Sequence, residues 1–128
     1  MSNKFAIEII TPDRKILDSE VSEVTIPSYE GQMGILKDHI PLITFLRPGF
    51  ILIKDEEEKK YYVEEGTVEF SNNNLLILTS TIKDLENFDT NFISELLKDA
   101  ENKIQDSSLS DKEQYIASYK ISSLKEIN

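Results

Sequence analysis

Phe5, Ile7 and Ile9 alternate with Ala6, Glu8 and Ile10, a two-residue period that predicts a strand with one face inward. Thr11-Pro12-Asp13 follows as a turn. Residues 16–26 read as one further extended segment, but Val21 falls out of phase with Val24 and Ile26, which predicts a bulge near Ser22 or Glu23. Residues 50–53 and Tyr61-Tyr62-Val63 are rich in aromatic and β-branched residues and flank the charged residues 55–60, so they predict a hairpin with a charged, solvated loop and no further role. Val68 and Phe70, a turn at Asn72-Asn73-Asn74 and the run Leu75-Leu76-Ile77-Leu78 complete the strand-rich part, which closes near Ile82.

Beyond residue 84 the period changes. Phe92, Ile93, Leu96, Leu97, Ala100 and Ile104 recur at helical spacing, with Asp89 placed to cap the first turn. A second helix opens at Ser110-Asp111-Lys112-Glu113, a capping box in which serine and glutamate satisfy each other's free amides. Its stripe of Ala117, Ile121 and Leu124 matches that of Ile93, Leu97, Ala100 and Ile104 across a short link, predicting an antiparallel helical hairpin. Tyr115 and Tyr119 fall on its other side, where the sandwich or a partner would cover them. The fold class is therefore α+β, an N-terminal antiparallel β-sandwich over residues 1–85 followed by a two-helix hairpin over residues 86–128. Helices of this length are marginal alone, so the hairpin is expected to depend on what it docks against.

Residues 26–49 interrupt this regularity. They hold three of the four glycines, three of the four prolines, the only histidine and one of two arginines. Residues that permit or impose special backbone angles are thus concentrated in one stretch.

A chain of 128 residues with net charge -10 and pI near 4.5 is one domain with an appendage, and its charge opposes nucleic-acid binding and attraction to anionic lipid. No apolar run approaches a membrane span. Neither a secretory signal nor a transit peptide is expected at the start. Without cysteine there is no disulfide, thiolate metal site or thiol nucleophile, and a lone His39 supports neither a triad nor a metal cluster. Glu-Gly-Gln-Met-Gly at residues 30–34 lacks the lysine of a phosphate loop. No cofactor and no metal are expected. Two weaker alternatives remain, a free-standing β-sandwich binding module with a helical dimerisation hairpin and a small enzyme built on Glu30, Asp38 and His39.

Three motifs in order carry a resemblance: Glu30-Gly31-Gln32-Met33-Gly34-Ile35-Leu36, then His39-Ile40-Pro41-Leu42, then Leu46-Arg47-Pro48-Gly49. With the strand-rich part before the hairpin, the whole chain resembles the epsilon subunit of bacterial and chloroplast F-type ATP synthases. The resemblance implies a non-catalytic rotor subunit of a proton-translocating synthase, in the central stalk, coupling gamma to the ring of c subunits. The implied location is peripheral, at the cytoplasmic face of the inner membrane.

Tyr29, Glu30, Gly31, Gln32 and Met33 are the candidate ring contacts, while Gly34, His39, Pro41, Pro48 and Gly49 are motif residues that shape turns. In members that restrain ATP hydrolysis the hairpin reaches the alpha and beta subunits, and Lys112, Lys120 and Lys125 are the candidate regulatory residues, spread among Asp111, Glu113 and Glu126. Members that bind ATP carry an Ile or Leu, Asp, two residues, then Arg-Ala. Here Phe88, Asp89, Thr90, Asn91, Phe92 and Ile93 match those positions, with phenylalanine in place of arginine. No ATP binding is expected by that route.

Overall fold

The computed structural model describes residues 3–85, 90–105 and 110–127, and the chain divides into two compact units, residues 1–85 and 86–128. In the first unit ten strands follow in order: β1 (Phe5–Ile10), β2 (Lys15–Val21), β3 (Glu23–Ser28), β4 (Gly31–Leu36), β5 (Leu42–Leu46), β6 (Gly49–Lys54), β7 (Glu58–Val63), β8 (Gly66–Ser71), β9 (Asn74–Leu78) and β10 (Ile82–Asp84). Hydrogen bonding runs β10-β7-β6-β3-β5-β8-β9-β1-β2, with β4 attached to β3. The link between β3 and β5 is the single pair Ser28 and Leu46, so the path folds there into two five-stranded layers. Phe5, Ile7, Ile9, Ile26, Ile35, Ile51, Val68, Phe70 and Ile77 from both layers share one buried core. The sandwich is not wholly antiparallel, because β1 and β9 pair in parallel.

β1 follows the alternation read from sequence, with Phe5, Ile7 and Ile9 buried. The expected bulge near Ser22 is instead a strand boundary. β2 pairs β1, whereas β3 pairs β4 and β6, so the phase slip between Val21 and Val24 marks a change of neighbours. Ser22 holds this corner, its amide and Oγ both donating to the Lys54 carbonyl at 3.0 and 2.8 Å.

The charged loop is shorter than expected. Glu58, Lys59 and Lys60 belong to β7, paired with Lys54, Ile53 and Leu52, and Lys60 lies over the Phe50 ring at 4.3 Å. Asn72 and Asn73 take positive φ, 50° and 59°, the two left-handed positions that a tight hairpin demands.

In the second unit α1 (Thr90–Ile104) packs on α2 (Asp111–Ile127). Ser110 caps α2 as expected: its Oγ accepts from the Glu113 amide at 3.1 Å, and its own amide donates to Glu113 Oε1 at 3.4 Å. Ala100, Ala117 and Leu124 are buried. Tyr115 and Tyr119 meet edge to face at 4.7 Å. The expected cap at Asp89, its neighbour Phe88 and most of the link between the helices lie outside the described residues.

Candidate functional site

The stretch at residues 26–49 is built mainly of paired strands. β3 and β4 form a hairpin whose two turn residues, Tyr29 and Glu30, sit between the paired Ser28 and Gly31. Ser28 is fully buried beneath this tip. Its Oγ donates to the Gly31 carbonyl at 2.7 Å and accepts from the Glu30 amide at 3.2 Å, so both sides of the turn are tied to one hydroxyl. Gly31 has φ 121°, a conformation that side-chain-bearing residues rarely adopt.

The tip is also anchored to the segment between β5 and β6. Arg47 Nε donates to the Ser28 carbonyl at 2.8 Å. The Arg47 amide reaches the Pro27 carbonyl at 2.9 Å, and the Tyr29 amide reaches the Phe45 carbonyl at 3.1 Å. Pro27 in β3, and Pro48 and Gly49 where β6 begins, are buried, and a Cβ on Gly49 would stand 2.6 Å from Pro27 Cβ. Partly buried hydrogen bonds in such number hold a turn in one geometry.

Of the five candidate contacts, Tyr29, Glu30 and Gln32 are exposed and Gly31 is half-exposed. Met33 packs against the core, since it lies opposite Ile26 on the inward face of β4. Gly34 sits mid-strand opposite Thr25 and forms no corner.

The turn after β4 is fixed independently. Asp38 has φ 67°, its amide donates to Asn73 Oδ1 at 2.7 Å, and Asn73 Nδ2 donates to Asp38 Oδ1 at 3.0 Å. This pairing stitches the turn to the β8–β9 hairpin. His39 Nδ1 lies 2.7 Å from the Ile40 carbonyl, and its ring meets Phe70 edge to face at 5.8 Å. Pro41 is exposed just before β5. Asp38 and His39 are thus engaged in shaping a turn.

Among the described residues no cluster of histidine and carboxylates is arranged to hold a metal ion. Burial, with Glu64 adding, pushes the Tyr62 phenol well above its ordinary pKa, away from acid–base work at neutral pH. Its hydroxyl has no partner among the described residues.

The outer face of β5, β8 and β9 is apolar in places. Ile43 is 76% and Phe45 58% exposed. Across the ladders they lead through Glu69 to Leu76 and through Thr67 to Leu78. Exposed apolar area of this kind on an ordered sheet marks an interaction surface.

In the helical unit Lys112 is exposed, Lys120 is half-buried, and Lys125 lies 4.0 Å from Glu101. The three lysines therefore carry different surroundings. No described helix is long and apolar enough to cross a membrane.

Sequence reasoning missed Ser28, Arg47 as an anchor, and Asn73. Ser28, a hydroxyl residue directly before a turn, carried a local signal. The pairings of Arg47 and Asn73 span 19 and 35 residues and carried none.

Residues 4–84 match the family described as ATP synthase, Delta/Epsilon chain, beta-sandwich domain. The ATP synthase epsilon chain of Pelagibacter ubique is 48% identical over 130 residues, covering 100% of both chains. The chloroplastic epsilon chain of Pyropia yezoensis is 36% identical over 90% of this chain and 86% of its own. Among solved structures, a chain of the Euglena gracilis mitochondrial ATP synthase superposes with TM-score 0.79 at 23% identity, over 98% of this chain and 82% of that one. A chain of the central stalk and c-ring of the Tetrahymena thermophila enzyme gives 0.64 at 14% identity, over 94% and 93%.

Proposed function

The chain belongs to the ATP synthase epsilon-chain family, and from that membership we propose that it works as a rotor part without an active site of its own. It couples gamma to the ring of c subunits within a proton-translocating synthase, peripherally at the cytoplasmic face of the membrane. The observation that supports this most is the construction of the β3–β4 tip. Ser28 and Arg47 brace it from beneath, while Tyr29, Glu30 and Gln32 stand exposed above. A loop that transmits torque has to resist bending, and hydrogen bonds to buried groups supply that stiffness.

The sandwich, residues 1–85, is then the docking unit. Its tip meets the ring, and the exposed Ile43, Phe45 and Leu78 face is the surface for gamma, since an assembled subunit covers its exposed apolar area. Purification of the tagged chain from solubilised membranes tests this. Gamma and the c subunits are expected to accompany it, and recovery of the chain alone, or as a homodimer, contradicts the assignment.

The helical unit, residues 86–128, is the regulatory element of this reading, reaching alpha and beta subunits through Lys112, Lys120 and Lys125. With Lys125 beside Glu101 and Lys112 between Asp111 and Glu113, the restraint on hydrolysis is weak and salt-sensitive. Deletion of residues 87–128 tests it: a rise in ATPase rate of the assembled enzyme is expected, and an unchanged rate contradicts the regulatory role.

ATP does not bind this unit, because the only arginines of the chain are Arg14 and Arg47 and neither lies there to grip phosphate bidentately. Calorimetry with MgATP is expected to give no heat of binding at millimolar nucleotide. A resolved isotherm contradicts it.

A further inference from the structure

Sheet edges expose unpaired amides and carbonyls, and proteins guard them with charge. β2 carries Lys15, Asp18 and Glu20, and β10 carries Lys83 and Asp84. Among the described residues β4 pairs only with β3, yet its sequence, Gly-Gln-Met-Gly-Ile-Leu, holds no charge and no proline. β5 is also uncharged, but Ser28 and Tyr29 close one end of it.

The register fixes which groups of β4 face outward. A two-residue turn makes Ser28 and Gly31 a hydrogen-bonded pair, so Met33 and Ile35 bond to β3 while Gln32, Gly34 and Leu36 aim their backbones away. Two contacts agree with this. Pro27, which has no amide to give, lies opposite Gln32, and the Leu36 carbonyl accepts from the His39 amide at 3.1 Å, outside the ladder. The open row is therefore both backbone groups of Gln32 and of Gly34, and the amide of Leu36.

Gly34 supplies a second, independent observation. Its φ is not in the left-handed region, and a Cβ there would meet nothing within 4 Å. Nothing within the described chain asks for glycine at this position. Glycine inside a strand otherwise weakens it, and it often marks the close approach of another backbone. The surroundings are apolar as well: Leu36 is 55% and Ile40 74% exposed.

We propose that the open edge of β4 is a strand-addition site, where an extended, apolar segment of a partner subunit pairs with Gln32, Gly34 and Leu36. The gap above Gly34, between the exposed Gln32 and Leu36, receives one large apolar side chain of that segment. Backbone pairing gives affinity and the gap gives register. The inference rests on the central-stalk reading and goes beyond it by naming the chemistry of the joint.

Hydrogen exchange resolved at single amides, on the isolated chain and on the purified complex, tests it. The Gln32, Gly34 and Leu36 amides are expected to exchange about 100-fold more slowly in the complex, with Met33 and Ile35 slow in both. Gly34→Lys, whose side chain leaves the β3 ladder untouched, is expected to keep the isolated chain's melting temperature and to lower its incorporation about tenfold or more. Equal exchange in both states, or full incorporation of G34K, overturns the proposal while leaving the stalk reading intact. Slow exchange in the isolated chain that disappears on dilution overturns it in favour of a second copy. Failure of the unaltered chain to enter any complex removes the stalk reading and this inference together.

Discussion

Gly49→Ala is expected to destabilise the isolated sandwich by about 2 kcal/mol or more, read as a lower denaturant midpoint at unchanged slope. The added methyl would lie 2.6 Å from Pro27 Cβ and 3.1 Å from Pro27 Cγ. A flexible neighbour would swing aside, but Pro27 is a buried ring on β3. Its carbonyl accepts the Arg47 amide, and its strand is held by β4 on one side and β6 on the other. Relief therefore requires moving the ladder beneath the tip. Gly34→Ala is the control, expected to lie within about 0.5 kcal/mol of the parent, because its Cβ position is empty. Equal stability of Gly49→Ala and the parent would mean that Pro27 and Gly49 are not in close approach.

The second large effect is functional. Replacing Glu30 and Gln32 together with alanine is expected to leave the melting temperature of the chain almost unchanged, since both side chains are exposed and surface substitutions away from special features cost within about 0.5 kcal/mol. In the assembled enzyme the same pair is expected to lower ion-driven ATP synthesis about tenfold or more, as central polar contacts of an interface do when truncated. ATP hydrolysis by the detached head persists. The loss relative to the parent should shrink with salt, because salt screens the charge that Glu30 contributes to the parent's contact. Intact synthesis with both substitutions removes the tip from the ring contact, whatever the family membership.

Much of this architecture was legible from pattern alone, where one element has one environment. β1 buries one face along its whole length, so alternation sufficed. The Ser110 cap is local, so four residues announced it. Errors arose where an element changes surroundings midway. Residues 16–26 cross from one layer to the other at Ser22, and a change of partner looks in sequence like a bulge. Glu58, Lys59 and Lys60 hide the start of β7 because β10 covers only Tyr61, Tyr62 and Val63, which leaves the charged part with a neighbour on one side and water on the other.

β4 was obscured by its two glycines, residues with poor strand propensity. Its extended form comes from pairing with β3. The candidate site shows the same division. Exposure of Glu30 and Gln32 at a motif was readable, whereas Met33 could be placed on the core only once its partner Ile26 was known. The bracing by Arg47 and the Asp38 to Asn73 stitch are long-range, and composition says nothing about which distant residues will meet.

The central claim, that the β3–β4 tip sits on the ring, has a direct test because the chain contains no cysteine. Glu30→Cys gives a single thiol at the exposed turn, and Glu57→Cys gives one in the exposed loop between β6 and β7, at the opposite end of β3 and β4. Each is cross-linked in the membrane-bound enzyme with a short thiol-to-amine reagent. A Glu30→Cys adduct with the c subunit is expected, and none from Glu57→Cys. A Glu30→Cys adduct formed only with gamma or beta, or equal ring adducts from both positions, contradicts it.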